Sequence, residues 1–142
     1  MLFRSYQSLV KEKKLFSNIE CYHFGTVDPG LLTVEGKLIK GVKMEEAEAA
    51  VEEELMKLKE SGIEDKELVK VKNRTEAVIS FEDMSLMNRA GSLAFYEILG
   101  DASLMNSELQ RYQEVTAENI LEESRIIFDE KNSSTLHYYA KN

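Results

Sequence analysis

Pro29 is the only proline among 142 residues, and beyond it apolar side chains recur at every third or fourth position. Proline removes a backbone donor and breaks a helix interior, so a chain this poor in it is free to form long helices. Met44, Ala47, Val51, Leu55 and Leu58 fall on one such stripe. Acids crowd its start (Glu45, Glu46, Glu48) and Lys57 and Lys59 its end, the arrangement a helix dipole favours. Gly62 is the expected stop. Asp65 is the expected cap of a second helix, with Leu68, Val71, Thr75, Val78 and Ile79 turned inward. The helix continues or restarts at Asp83, with Leu86, Met87, Leu93 and Ile98 inside, and stops at Gly100. Asp101 caps a shorter helix, and Thr116 caps the last, which buries Ile120, Ile127 and Phe128.

Two stretches break this period. From Asn18 to Val27 the pattern alternates, with Ile19, Cys21 and His23 on one face. Asp28-Pro29-Gly30 is a turn signal, because Pro presets φ and Gly tolerates positive φ. Leu31 to Lys37 returns as a second strand, which makes a hairpin. Near the end, Thr135, His137 and Tyr139 alternate against Leu136 and Tyr138, predicting a closing strand over Ser134–Tyr139. Ahead of the hairpin, Tyr6, Leu9, Val10 and Lys13 keep helical spacing, and the pattern is already running at Phe3 with no capping residue before it. That reads as a chain entered part-way through a larger fold. The expected class is α+β, one domain over 1–142, with a small antiparallel sheet of about three strands covered on one face by five or six helices. Three strands are few for so much helix, and a free sheet edge is a template for pairing. Self-association follows as an expectation.

Composition narrows the function classes. A net charge of −8 argues against a nucleic-acid binder, which would normally show a basic stripe. The longest apolar runs, such as Ile126-Ile127-Phe128, fall far short of the roughly 20 residues of a membrane span. Cys21 is the only cysteine, so no internal disulfide forms.

Seven stretches, in order, resemble the insulinase/pitrilysin-like zinc peptidases, also called inverzincins. They are "SYQSLVKEKKLFSNIECY", "DPGLLTVEGK", "GVKMEEAEAAVEEELMKL", "LVKVKNRTEAVISF", "LAFYEILGDASLMN", "YQEVTAENI" and "SSTLHYY". The resemblance covers nearly the whole chain and points to the later part of a repeat, the C-terminal non-catalytic one. In that family two repeats close around a peptide. The catalytic repeat carries H-x-x-E-H, in which two His and a downstream Glu hold zinc and the first Glu activates water. Here His23 is followed by Phe-Gly-Thr-Val and His137 by Tyr-Tyr-Ala-Lys, so the motif is absent.

The resemblance therefore implies a piece that is inactive alone, with no cofactor of its own and with zinc in the other repeat of a peptide-hydrolysing parent. Its partners would be that zinc-bearing repeat and the parent's peptide substrate. Likeness to exported bacterial members leans towards the periplasm or cell envelope. The alternative is a structural subunit or peptide-binding module of a member that has lost proteolysis.

The non-catalytic repeat often places an Arg and a Tyr at the opening junction, in a pattern like L-R-E-K-x-G-L-x-Y. Laid on Leu9 to Ser17, it puts Val10 at the Arg position and Ser17 at the Tyr position. Val has no charged fork and Ser lacks a phenol's reach, so the substrate-binding pair is lost and the junction reads as scaffold. A slip of one residue offers Lys11, still without a Tyr.

Other constellations read as ordinary structure. Cys21, His23 and His137 would make a three-ligand zinc set, but C-x-H is not a dedicated spacing. Glu52-Glu53-Glu54 falls mostly on the solvent side of its helix. Met84, Met87 and Met105 with Phe81, Phe95 and Tyr96 could line a pliable groove, but at helical spacing core packing is the expectation. Ser133-Ser134 has no His-acid partner at a recognisable spacing.

Overall fold

The computed structural model describes residues 2–25, 27–28 and 30–139, apart from the side chains of Leu2 and Phe3. A short helix α1 (Leu2–Ser5) runs into a π-helical stretch (Tyr6–Glu12), then strands β1 (Phe16–Phe24) and β2 (Leu31–Leu38). Helices α2 (Met44–Ser61), α3 (Asp65–Glu82), α4 (Leu86–Ile98), α5 (Glu108–Glu114) and α6 (Ala117–Ile127) follow. Tight 3₁₀ turns occupy Ala102–Ser107 and Glu130–Asn132. The class is α+β, as the sequence predicts.

The chain divides into two compact units, residues 1–60 with 127–142, and residues 61–126. In the first, β1 and β2 pair antiparallel from Phe16↔Leu38 to Phe24↔Leu31. The central residue of the expected Asp28-Pro29-Gly30 turn lies outside the described residues. A bulge at Ser17 separates the pairs Phe16↔Leu38 and Asn18↔Lys37. Leu9, Leu15, Phe16, Ile19, Ala47 and Ala50 form the core, flanked by Val10, Val34, Leu38, Val42 and Val51. The two alanines keep one face of α2 narrow, and it is this face that enters the core.

The stripe on α2 is rotated slightly from the expected one. Ala47, Ala50, Glu54 and Leu58 are its buried residues, so Glu54 lies inside while Glu52 and Glu53 face solvent.

The strand expected over Ser134–Tyr139 does not form: residues 133–139 join no ladder. Alternation specifies two faces and an extended backbone, but a strand also needs a neighbouring edge in register. Here the His137 ring lies against α2, with Nε2 3.2 Å from Glu48 Oε2. The side chains on either side of it, Leu136 and Tyr138, are 91% and 87% exposed. Among the described residues the sheet has two strands.

In the second unit, α3 packs against α5, and α4 against the turn Ala102–Ser107. Its caps are mostly where the sequence predicts. Asp101 Oδ1 accepts from Ser103 N at 2.8 Å. Thr116 Oγ1 accepts from Asn119 N at 3.1 Å while Thr116 N donates to Asn119 Oδ1 at 3.0 Å, a reciprocal box. Gly62 and Gly100 take the left-handed conformations that end α2 and α4, with φ of +65° and +104°. Two caps differ. Glu64, not Asp65, is the boundary residue of α3, and Ser85, not Asp83, caps α4 by accepting from Asn88 N.

The larger correction concerns burial. Val71, Val78, Leu86, Met87, Leu93 and Ile98, expected inside, are all exposed. Among the described residues of 61–126, no hydrophobic side chain is buried. Helical spacing states which residues share a face; it does not supply the surface that covers it.

Candidate functional site at the opening helix-to-strand junction

The junction from Ser5 to Ser17 turns without Gly or Pro. The π-helical stretch widens the backbone ring by one residue, and such turns are uncommon. It closes with Lys13 N donating to Ser8 O at 2.8 Å and Leu15 N donating to Leu9 O at 3.0 Å. Lys14 adopts φ +53° between them, the left-handed residue that a helix-closing turn of this type needs. A lysine there carries a steric cost that glycine would avoid.

Val10 is half-buried and packs against the core cluster. Ser17 stands exposed at the bulge, and its hydroxyl donates to the Lys37 carbonyl at 3.0 Å. Both side chains are thus engaged in local structure. Lys11, the residue offered by a one-residue slip, lies over the Tyr6 ring, 5.4 Å from its centroid.

Charge ties the same junction to α2. Ser8 Oγ donates to Glu54 Oε1 at 2.9 Å, and Lys57 Nζ donates to the same oxygen at 3.0 Å. Glu54 is 8% exposed, so these two donors offset the desolvation of its carboxylate. Lys13 pairs with Glu53, which Lys57 also reaches at 2.8 Å. Hydrogen bonds from Lys13 and Lys57 hold the Glu53 carboxyl down at about 2. A lowered acid pKa stabilises the fold above the ordinary value of 4.5, and that contribution fades as pH falls through about 2. Glu53 is exposed, which keeps the contribution small.

Glu54 is the residue that sequence reasoning missed. The signal was present, because Ala47, Ala50, Glu54 and Leu58 are spaced i, i+3, i+7 and i+11.

The remaining candidates do not assemble. Cys21 pairs across the hairpin with Val34 and His23 with Leu32, while His137 is held by Glu48. Burial pushes the Cys21 thiol up, away from a reactive thiolate. No group of three metal-ligating side chains comes together among the described residues. We expect the dialysed chain to hold much less than one zinc per molecule; one tightly bound zinc by elemental analysis would contradict this. The methionine–aromatic set is not the core that helical spacing predicts, since Phe81, Met84 and Met87 are 73%, 79% and 80% exposed.

The geometry leads to a mutational expectation. Val10→Ala should cost about 0.5–1.5 kcal/mol through lost packing, because Val10 is only half-buried. Ser17→Ala should cost less than about 1 kcal/mol, the worth of one exposed hydrogen bond. Urea titration of each variant measures both. Loss of peptide binding in a stable Ser17→Ala variant would show that the hydroxyl contacts ligand as well as Lys37.

This α+β arrangement is shared with solved bacterial proteins. A protease from Helicobacter pylori superposes with a TM-score of 0.76 at 22% identity, over 87% of this chain and 30% of its own. A candidate zinc protease from Bordetella pertussis Tohama I gives a TM-score of 0.84 at 19% identity, over 97% of this chain and 76% of its own. The inactive peptidase domain of a candidate zinc protease from Bordetella parapertussis gives 0.76 at 19% identity, over 85% of this chain and 64% of its own. Against the first of these, the chain spans under a third of the partner's length. No curated protein sequence matches it. Residues 1–75, more than half of the chain, match the family model of the peptidase M16 inactive domain. The chain belongs to that family, and the resemblance to the non-catalytic repeat of the insulinase-like peptidases stands.

Proposed function

We propose that the chain is a non-catalytic part of a zinc metalloendopeptidase-like protein, forming one wall of a peptide-binding chamber and packing against a zinc-bearing repeat. The observation that carries this reading is the opening junction, which lies inside the family-matched residues 1–75. Its Val10 and Ser17 are engaged in packing and in a bond to Lys37, and it offers no charged or phenolic pair at those positions. Support rather than catalysis suits such a surface. Zinc and the water-activating acid would belong to the partner repeat, and peptide would be met through the main chain of a sheet edge. A bacterial cell-envelope location is taken from the resemblance alone.

The two-stranded sheet leaves the outer edges of β1 and β2 unpaired among the described strands. We therefore expect the isolated chain to self-associate through an edge, and to exchange that contact for a zinc-bearing repeat when one is supplied. Light scattering of the chain alone, and then mixed with a zinc-bearing repeat of the family, tests both. Peptide hydrolysis should appear in the mixture and in neither component alone. A chain that neither binds the repeat nor alters its activity would sink the reading.

A further inference from the structure

Helix α4 carries one Arg and one Glu and is neutral, inside a unit (residues 61–126) that has 13 acidic and 7 basic side chains. Of its 13 residues only Ser92 and Tyr96 are even half-buried, and the rest are exposed. Leu86, Ala90, Leu93 and Glu97 recur at i, i+4, i+7 and i+11, so they share one face. Leu86 is 82% exposed and Leu93 46%. An apolar stripe on the outside of a helix, ending in a single acid, marks a surface that a partner covers.

The two charges of α4 say which partner. Arg89 and Glu97 lie four residues before and four after Leu93, each about 6 Å from it along the axis. Neither forms an ion pair among the described residues. Eight residues apart, they are not helix-surface neighbours and do not pair with each other. In two copies of α4 laid antiparallel and crossing at Leu93, Arg89 of one copy comes level with Glu97 of the other. The twofold axis makes this contact twice, as an isologous interface requires. Leu93 meets Leu93 at the axis, and Ala90 beside it is small enough to let the helices approach. A parallel pair would instead set Arg89 against Arg89 and Glu97 against Glu97, so the charges also fix the direction.

We propose that the chain forms a symmetric dimer through the Leu86–Ala90–Leu93–Glu97 face of α4, with two Arg89–Glu97 pairs setting its antiparallel direction. A single helix pair about 20 Å long buries less than a standard interface, so the contact is weak and is read at high protein concentration. The net charge of −8 on each copy opposes their approach. At physiological salt that repulsion is screened beyond about 8 Å, whereas the paired groups come closer than this. The inference uses none of the junction residues from Ser5 to Ser17. It rests neither on the parentage nor on the sheet-edge contact proposed above.

The test is sedimentation velocity of the full chain over a concentration series reaching about 1 mM. Arg89→Glu and Glu97→Arg should each weaken dimerisation about tenfold, because each turns both pairs into like-charge contacts. The double variant Arg89→Glu, Glu97→Arg should restore the dimer. Mixing the two single variants should give a heterodimer as tight as the wild-type dimer, since every pair is again of opposite sign. Both residues are exposed, so circular dichroism and the thermal melt should stay unchanged in all of these. A wild-type chain that remains monomeric throughout the series would overturn the inference. So would association that no reversal moves, which is what pairing through the sheet edge alone would give. A folded double variant, or a mixture of folded single variants, that fails to regain the dimer would also overturn it.

Discussion

Leu9→Ala is expected to destabilise the protein by about 2–5 kcal/mol, the range for deleting a fully buried leucine and leaving its cavity. Leu9 is 0% exposed, the largest side chain buried so completely among the described residues. It sits in the π-helical stretch and belongs to one core cluster with Leu15, Phe16 and Ile19 of the strand side and Ala47 and Ala50 of α2. The alanines on α2 have no length with which to fill the space, so collapse is limited and the upper half of the range is favoured. Its carbonyl also accepts from Leu15 N at 3.0 Å, so loosening here loosens the turn that starts β1. In urea the unfolding midpoint should fall with little change in slope. A loss below about 1 kcal/mol would mean that the core closes over the gap and that the junction is softer than its burial indicates.

The second large effect is expected at Gly36. A Cβ built there falls 2.5 and 2.6 Å from two atoms of the Phe16 ring, far inside van der Waals contact. Phe16 lies diagonally across the hairpin, paired with Leu38, and its ring covers the bare backbone at Gly36. Such a ring over a strand glycine replaces the side chain that the glycine lacks. Phe16 is itself 5% exposed and belongs to the core, so it has little room to swing aside. Alanine gains roughly 0.5–1 kcal/mol over glycine from backbone entropy. Overpacking costs about 1–3 kcal/mol and wins. Gly36→Ala should therefore lower the melting temperature. Phe16→Leu should partly rescue Gly36→Ala while being harmful alone, and a double-mutant cycle measures this coupling. A stabilised Gly36→Ala variant would show that the ring can leave without loss.

Local rules account for much of what the sequence determined. The hairpin pattern from Asn18 to Lys37, the helix stops at Gly62 and Gly100 and the Thr116 cap all rest on interactions within a few residues; the stops and the cap appear where expected, and the hairpin forms with its first strand over Phe16–Phe24 instead of Asn18 to Val27. The missing H-x-x-E-H and the order of the seven family-like stretches were also legible, because a motif is a property of the chain alone. Tertiary structure decided the rest. Whether Ser134–Tyr139 becomes a strand depends on an edge to pair with, and here His137 meets Glu48 instead. The placement of Glu54 inside and Glu53 outside depended on where the Ser8 hydroxyl would lie, forty-six residues earlier. Met87 and Phe95 share a helical face by spacing, but only the fold could leave that face uncovered, because burial belongs to what packs against a helix and not to the helix itself.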